Sequence, residues 1–501
     1  MSAGAAFTLR DANSPISSRI GAVEVFRHLS YKHLVAALSL GLLLRLFFVI
    51  HFPFYAGDTK FYDELARNLL DHGVYGLFVR GQLTPVDMRM PGYPVFLSGL
   101  YAALGRSSKA VMFFQAFIDL FTCLLTAVIA GLIAPADSKT RVATMALWMA
   151  ALCPFTANYS AALLTEVLST FLTTLAVLVF LMGFSRSSTI SPAKSSEHRD
   201  LYSQVTSWLL VGVIVGLGTL VRPETPLFLL AVGLVLAVCW RQRANWKKLF
   251  LAVSWMSVGL ILILTPWAAR NARSMGRIEF LAPRYAQTYG DFIPRGFYSW
   301  TGTWMVRFRD AYLVTWKLGK DRIRMEDLPE TAFDSNAERG RVKVLLDQYN
   351  SDLQMSPLLD REFATLARER EARRPIRTYV DVPLERVYAI WFTPRIALLP
   401  YSGMLWPPEE MWRNDRTGFT TTIGFGILNF MYLFLATIGA WRFRKQPMVA
   451  FLIALVLTRT IFLTQLQTVE PRYVIVCYPV ILVLGALAWS RSSRRLPALV
   501  D

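Results

Sequence analysis

The chain has 501 residues, of which 54% are hydrophobic and only 18% charged, with a mean hydropathy of +0.38. That balance excludes an ordinary soluble globular enzyme, which needs far more polar surface. The net charge of +18 does not indicate nucleic acid, because the lysines and arginines are spread through short loops between apolar runs, where positive-inside topology accounts for them.

In chain order, residues 1–33 form a polar, basic segment with Arg10, Arg19, Arg27 and Lys32, expected to be cytoplasmic and to contain no cleavable signal peptide. Apolar runs follow at 34–52, 111–134, 142–155, 161–184, 208–221, 227–240, 249–268, 423–441, 448–466 and 474–489, about ten spans. With the N-terminus inside, the inside loops carry Lys139 and Arg141; Arg186, Lys194 and Arg199; Arg241, Arg243, Lys247 and Lys248; Arg442, Arg444 and Lys445; and finally Arg491, Arg494 and Arg495. The short outside loops are neutral (156–160) or balanced ("RPET", 222–225; "VEPR", 469–472). Both ends are therefore expected in the cytoplasm. Two further apolar stretches, 92–105 and 386–400, are short or interrupted by a charge or proline. Either one crossing alone would invert every later loop, so both read as interfacial or re-entrant helices at the outer leaflet.

The expected fold is an all-α integral membrane protein: a polytopic helix bundle with outer-face juxtamembrane helices and a mainly helical extracytoplasmic insertion. Its parts are the cytoplasmic segment 1–33, an N-terminal transmembrane module 34–269 with a first outer loop 53–110, an extracytoplasmic domain 270–421, C-terminal transmembrane helices 422–490 and a cytoplasmic tail 491–501. The outer domain opens with a Trp/Tyr-rich stretch whose Tyr298, Trp300 and Trp304 are expected to cover a cleft and exclude water. The only low-complexity tract is a Ser-rich inside linker, 185–200. The four cysteines, Cys123, Cys153, Cys239 and Cys477, lack paired spacing and nearby histidines, so they read as core fillers rather than a disulfide framework or zinc site.

The first outer loop begins "YAGDTKFYDELARNLL" (55–70), dense in ionisable groups. Its helical period puts Phe61, Leu65 and Leu69 on one face, with Asp58 at the N-terminal end, as an N-cap or as something more. Other ionisable groups fall at the same depth: Arg89 in "RMPGYP", Glu166 in "LLTEVL", Arg222 and Glu224 in "RPET", Arg270 in "PWAARN", Glu470 and Arg472 in "VEPRY". Charges at a bilayer boundary cost several kcal/mol unless paired or wet, so this ring of both signs suggests an interfacial cleft, with Tyr62 and Tyr93 supporting it. The plainer alternative is salt bridges that tie helix ends together. Such a cleft suits a lipid-anchored phosphate, for which arginine offers a two-pronged donor, and a nearby carboxylate can take a proton from an incoming hydroxyl. Deeper in the bilayer, Arg45 and Asp119 are expected to pair or to serve packing, with Gln115 on the same face as Asp119.

"AGDTKFYDELARNLLDHGVYGL" followed by "RMPGYPVFLSGLYAALG", with "VRPE", "PWAARN", "WFTPR" and "EPRY" further on, resembles the GT-C superfamily of membrane glycosyltransferases, in particular the bacterial branch related to protein O-mannosyltransferases and the lipid A aminoarabinose transferase. The resemblance implies a polyprenyl-phosphate sugar donor, inverting transfer on the outer face of the bacterial inner membrane, and no required metal or other cofactor. It implies a carboxylate of the first outer loop at the reaction centre, which Asp58 matches, a donor-phosphate contact at Arg89, and a second acidic landmark at Glu166. The protein mannosyltransferases carry a paired "DE" where this chain has Asp58 and Thr59. On this reading Asp58 and Glu166 are catalytic, Arg89, Arg222 and Arg472 bind the donor phosphate, and Tyr62, Tyr93, Glu224, Arg270 and Glu470 support the cleft. The partners are the donor, an acceptor lipid, glycan or protein, and membrane lipids, with no nucleic acid. The rival readings are a transporter or flippase of lipid-linked sugars, against which the absence of a sequence repeat counts, and an O-antigen polymerase or ligase.

Overall fold

The computed structural model describes residues 29–55, 57–188, 197–239, 246–283, 292–466 and 470–491. Arg10, Arg19, Arg27, Lys194, Arg241, Arg243, Arg494 and Arg495 lie outside the described residues. The helices in chain order are α1 (Tyr31–His51), α2 (Asp58–His72), α3 (Gly92–Leu104), α4 (Ser108–Ile133), α5 (Lys139–Ala151), α6 (Glu166–Ser188), α7 (Glu197–Val221), α8 (Leu227–Cys239) and α9 (Trp246–Met275). Then come α10 (Arg295–Gly302), α11 (Asn336–Asp352), α12 (Pro357–Arg373), α13 (Val382–Trp391), α14 (Arg416–Phe443), α15 (Pro447–Thr464) and α16 (Tyr478–Ala486), the last continuing the 3-10 turn Pro471–Cys477.

Among the described residues, eight helices are long and apolar enough to cross a membrane. The expected span at 142–155 is instead the 13-residue helix α5, about 20 Å long against the ~30 Å hydrocarbon layer, and the one at 227–240 is α8, described as far as Cys239. Pro154 stops α5, since a proline disfavours helical backbone at the residue before it, and Cys153 is extended (φ −71°, ψ 108°). The chain then climbs through buried turns to Ala161, whose carbonyl accepts from the Phe54 amide at 2.8 Å, just beyond the end of α1. Residues 139–161 thus reach the level that α1 reaches with one helix.

The break in α5 explains the buried arginine of α1. Arg45 donates to Asp119 of α4 (Nε, 2.9 Å) and to the carbonyls of Gly41 and Ala151 (2.8 Å each). It neutralises one buried charge and satisfies a carbonyl freed where α5 ends, which makes it a packing device. Elsewhere small residues let helices touch: a Cβ on Gly212 of α7 would lie 2.0 Å from the Met256 carbonyl oxygen, and one on Gly259 of α9 would lie 2.5 Å from that of Leu209.

One element departs from the helix-only expectation. Gly76–Val79 (β1) and Gln82–Pro85 (β2) pair antiparallel with Val79 opposite Gln82. Arg80 and Gly81 both have positive φ (51° and 82°), the two-residue turn whose twist suits a hairpin. Asn68 donates to the Gly76 carbonyl (2.8 Å) and Glu64 accepts from the Phe78 amide (3.1 Å), fastening the hairpin to α2.

Helices α10 to α12 form a domain with its own core of Phe297, Trp300, Trp304, Leu346, Phe363 and Leu366. Ser335 and Ser356 cap α11 and α12 by accepting from the amides of Glu338 and Leu359. Trp300 and Trp304 are 0% and 1% exposed in this core, and Tyr298 packs against it, which corrects the expectation that these rings cover a cleft. They fill the domain because its helices are charged on the outside and need an aromatic interior. Arg386 of α13 joins the domain to the bundle by donating to the carbonyls of Gly302, Met305 and Thr464.

Candidate functional site: an ionic cleft at one end of the bundle

Asp58 opens α2 directly after Gly57, whose φ of +60° turns the chain into the helix. Asp58 is the first helical residue, and its side chain caps nothing, so it is not the N-cap. Its carboxylate is instead held by two arginines from distant parts of the chain, Oδ1 by Arg89 Nη2 and Oδ2 by Arg472 Nη2, each at 2.8 Å. The buried face of α2 is Thr59, Tyr62, Leu65, Ala66 and Asn68. Phe61, expected to share that face, is exposed and lies 5.8 Å beneath the Arg89 guanidinium.

Arg89 sits in the turn between β2 and α3. Tyr75 fixes that turn by donating its hydroxyl to the carbonyls of Arg89 (3.0 Å) and Met90 (3.2 Å). Arg270 of α9 donates in turn to the carbonyls of Tyr75 and Val86. Arg270 is therefore not in the ion cluster: it secures the hairpin that presents Arg89. Tyr93 of α3 packs edge-on against Tyr62 (5.2 Å between centroids) and donates to Gln115 of α4 (2.8 Å), which itself holds the Ala162 carbonyl (2.8 Å). Thr59 donates to the Leu163 carbonyl at 3.3 Å. The floor under Asp58 is thus tied to the irregular chain that leads into α6.

Glu166 is the first residue of α6, and its side chain is 1% exposed. Its Oε1 accepts from Arg222 (3.3 Å) and lies 3.9 Å from Arg472 Nε, while Oε2 has no hydrogen-bond partner among the described residues. Arg222, just past the end of α7, also binds Glu224 (2.8 Å), and Glu224 accepts from Arg459 of α15 (2.9 Å). Arg472 pairs with Glu470, whose other oxygen accepts from the Tyr473 hydroxyl (2.7 Å). Both carbonyls beside Arg472 are gripped by buried arginines: that of Pro471 by Arg395 (3.0 Å) and that of Tyr473 by Arg459 (3.1 Å).

Asp58, Glu166, Arg89, Arg222, Arg472, Glu224 and Glu470 therefore meet in one continuous network, with Tyr62 and Tyr93 packed below. Arg459 and Arg395 are not among the residues expected from the sequence, although an arginine inside an apolar run such as "VLTRTIF" is the same signal that singles out Arg45.

Burial disfavours charge on Asp58, but the guanidinium groups of Arg472 and Arg89 outweigh it and hold the carboxyl at about 2 against an ordinary 3.8. Burial likewise opposes charge on Glu224, and Arg222 with Arg459 overcomes it, keeping that carboxyl below its usual range. Burial pushes the Tyr62 hydroxyl up, reinforced by Asp58. At neutral pH Asp58 and Glu224 are thus ionised and the Tyr62 phenol is protonated. Among the described residues no group of three or more His, Cys, Asp or Glu side chains is placed to share a metal ion.

No protein-family model matches the chain, and neither does any curated protein. Solved structures do. One is the Archaeoglobus fulgidus oligosaccharyltransferase AglB in complex with an inhibitory peptide and a dolichol-phosphate, with TM-score 0.47, 14% identity, 92% of this chain and 50% of that one. Another is the oligosaccharyltransferase of the same organism in complex with Zn and sulfate, with TM-score 0.47, 15% identity, 91% and 48%. A third is ArnT from Cupriavidus metallidurans in the apo state, with TM-score 0.38, 14% identity, 91% and 77%. At 14–15% identity and TM-scores below 0.5, the chain is assigned to no family by these likenesses. It spans about half the length of the oligosaccharyltransferase chains it matches. Likeness of this degree does not carry chemistry from one protein to another.

Proposed function

We propose that this chain is a membrane glycosyltransferase that moves a sugar from a polyprenyl-phosphate donor to an acceptor hydroxyl, with inversion, at the outer face of a bacterial inner membrane. The observation that supports it most is the Asp58 carboxylate between two arginines brought from opposite ends of the sequence. A lipid phosphate at headgroup depth needs cations fixed by the fold, and Arg89 and Arg472 are each anchored by a second tier: Tyr75 with Arg270 for one, Arg395 with Arg459 for the other.

In the reaction the acceptor oxygen attacks the anomeric carbon, the bond from that carbon to the phosphate oxygen breaks, and the polyprenyl phosphate leaves with the bond's electron pair. Asp58 takes the acceptor's proton. Arg89 and Arg472 stabilise the charge gathering on the departing phosphate, and Arg222, 4.9 Å above the Tyr473 ring, keeps Glu166 in place. The free Oε2 of Glu166 is left to orient a sugar or acceptor hydroxyl. The acceptor is a lipid, glycan or protein. The chain's own groups supply both acid–base and electrostatic parts of this scheme, so no cofactor is assigned.

The test is reconstitution in liposomes with a radiolabelled polyprenyl-phosphate sugar and an extract of envelope acceptors. A glycosidic product that depends on the protein supports the reading. Movement of the labelled lipid between leaflets without product supports the flippase instead, and consumption only of pyrophosphate-linked oligosaccharide supports the polymerase or ligase.

A further inference from the structure

Arg89 and Arg472, the cations assigned to the donor phosphate, are the same two groups that bind Asp58, one to each carboxylate oxygen. Among the described residues, the cations of this network are all engaged. Four arginines (Arg89, Arg222, Arg459 and Arg472) face four carboxylates (Asp58, Glu166, Glu224 and Glu470), and every one of them is in an ion pair within the set. An incoming phosphate therefore competes with a carboxylate for these guanidinium groups. Asp58 is the one placed to yield: its side chain is 22% exposed, against 1%, 11% and 6% for Glu166, Glu224 and Glu470. Asp58 and Glu166 each open a helix and keep a favourable helix dipole when their arginines are gone, and of the two only Asp58 is open to an incoming ligand.

Resting on the function proposed above, we infer that Asp58 is an internal occupant of the phosphate subsite, displaced from Arg89 and Arg472 by the donor phosphate and only then free to accept the acceptor's proton. A carboxylate bridged through both oxygens is a poor proton acceptor, and one released beside a bound phosphate is a better one. The site then acquires its base only with the donor in place, so the donor binds before the acceptor. The same competition weakens donor binding: a clamp closed about nine-tenths of the time lowers apparent affinity about tenfold.

The experiment is a titration of the full-length protein in detergent with farnesyl phosphate as probe, and with uncharged farnesol as control. Asp58→Asn is expected to bind farnesyl phosphate about tenfold more tightly than the unmodified protein, with Asp58→Ser as a second variant should the amide disturb insertion. Asp71→Asn, which removes a carboxylate of the same helix paired with Arg106, is expected to bind as the unmodified protein does, and farnesol is expected to show no difference. Equal or weaker farnesyl phosphate binding by both Asp58 variants, with Arg89→Gln and Arg472→Gln still losing affinity, overturns the displacement and leaves the phosphate subsite standing. Unchanged affinity in Arg89→Gln and Arg472→Gln overturns the subsite and the functional reading with it.

Discussion

The protein contains two arginine–carboxylate clusters of similar composition and opposite character. In the α10–α12 domain Arg370, 2% exposed, binds Glu338 and also donates to the Thr303 hydroxyl (2.9 Å) and to the carbonyls of Ala332 (3.1 Å) and Thr331 (3.0 Å). Asp334, beside it, is shared by Arg373 and Arg377. Every donor of Arg370 has a partner and its two carboxylates, Asp334 and Glu338, are 3% and 4% exposed, with Arg373 and Arg377 on the rim, so the cluster fixes where α11, α12 and the turn before α11 meet. In the cleft, Asp58, Arg89 and Arg472 are about one-fifth exposed, and Glu166 has a buried oxygen without a partner. A closed network has nothing left to offer a ligand. An open one stores polar groups that a ligand can satisfy, and this difference separates a strut from a candidate site when residue types do not.

That contrast can be broken, and the largest effect is expected in the strut. Arg370→Ala leaves the buried Glu338 with only the half-exposed Arg373 and frees the carbonyls of Thr331 and Ala332, and it is expected to destabilise the α10–α12 domain by about 3 kcal/mol. Thermal unfolding in detergent should show this, while farnesyl phosphate binding by the folded fraction stays unchanged. Arg472→Gln should do the reverse. Losing charge-assisted bonds worth about 1.5–3 kcal/mol to a phosphate is expected to raise the donor KM roughly ten- to a hundredfold, with a smaller change in melting temperature.

Acid sharpens the comparison further. Asp58 titrates at about 2 in the fold against an ordinary 3.8. A lowered carboxyl contributes stability that is complete above its ordinary value and lost as pH falls through the folded one. Unfolding temperatures followed from about pH 5 down to pH 2 should therefore drop for the unmodified protein between about pH 4 and pH 2 by a part that Asp58→Asn lacks. The smallest effect belongs to a single cap: Ser335→Ala is expected to cost about 1 kcal/mol in the α10–α12 domain and to leave the cleft's ligand affinity unchanged.

Much of this arrangement is legible in the amino-acid sequence. Apolar runs set the order of helices, and the loops expected on one side contribute Asp58, Arg89, Glu166, Arg222, Glu224, Glu470 and Arg472, which meet at one end of the bundle. Partners are less legible. Asp58 and Arg472 are 414 residues apart, and no local spacing encodes that contact. Arg459 is hidden because one charge hardly dents the hydropathy of α15, and the target of Arg270 is hidden because its position in the chain does not fix its direction around α9: it supports the site through the carbonyls of Tyr75 and Val86. The tryptophans of the α10–α12 domain illustrate the converse: aromatic residues near an expected cleft read as its cover, yet Trp300 and Trp304 fill the domain's interior. The hairpin is masked because the helical period of α2 is stronger than the signal of the four-residue strands after it, although Gly81 marks its turn.

The most direct measurement is single-turnover transfer of a labelled sugar from a polyprenyl-phosphate donor by the unmodified protein, Asp58→Asn and Asp71→Asn, each inserted in liposomes and saturated with donor. Loss of a general base predicts that Asp58→Asn transfers about a hundred- to ten-thousandfold more slowly while Asp71→Asn keeps pace with the unmodified protein. Transfer by a correctly inserted Asp58→Asn at the unmodified rate would contradict the account.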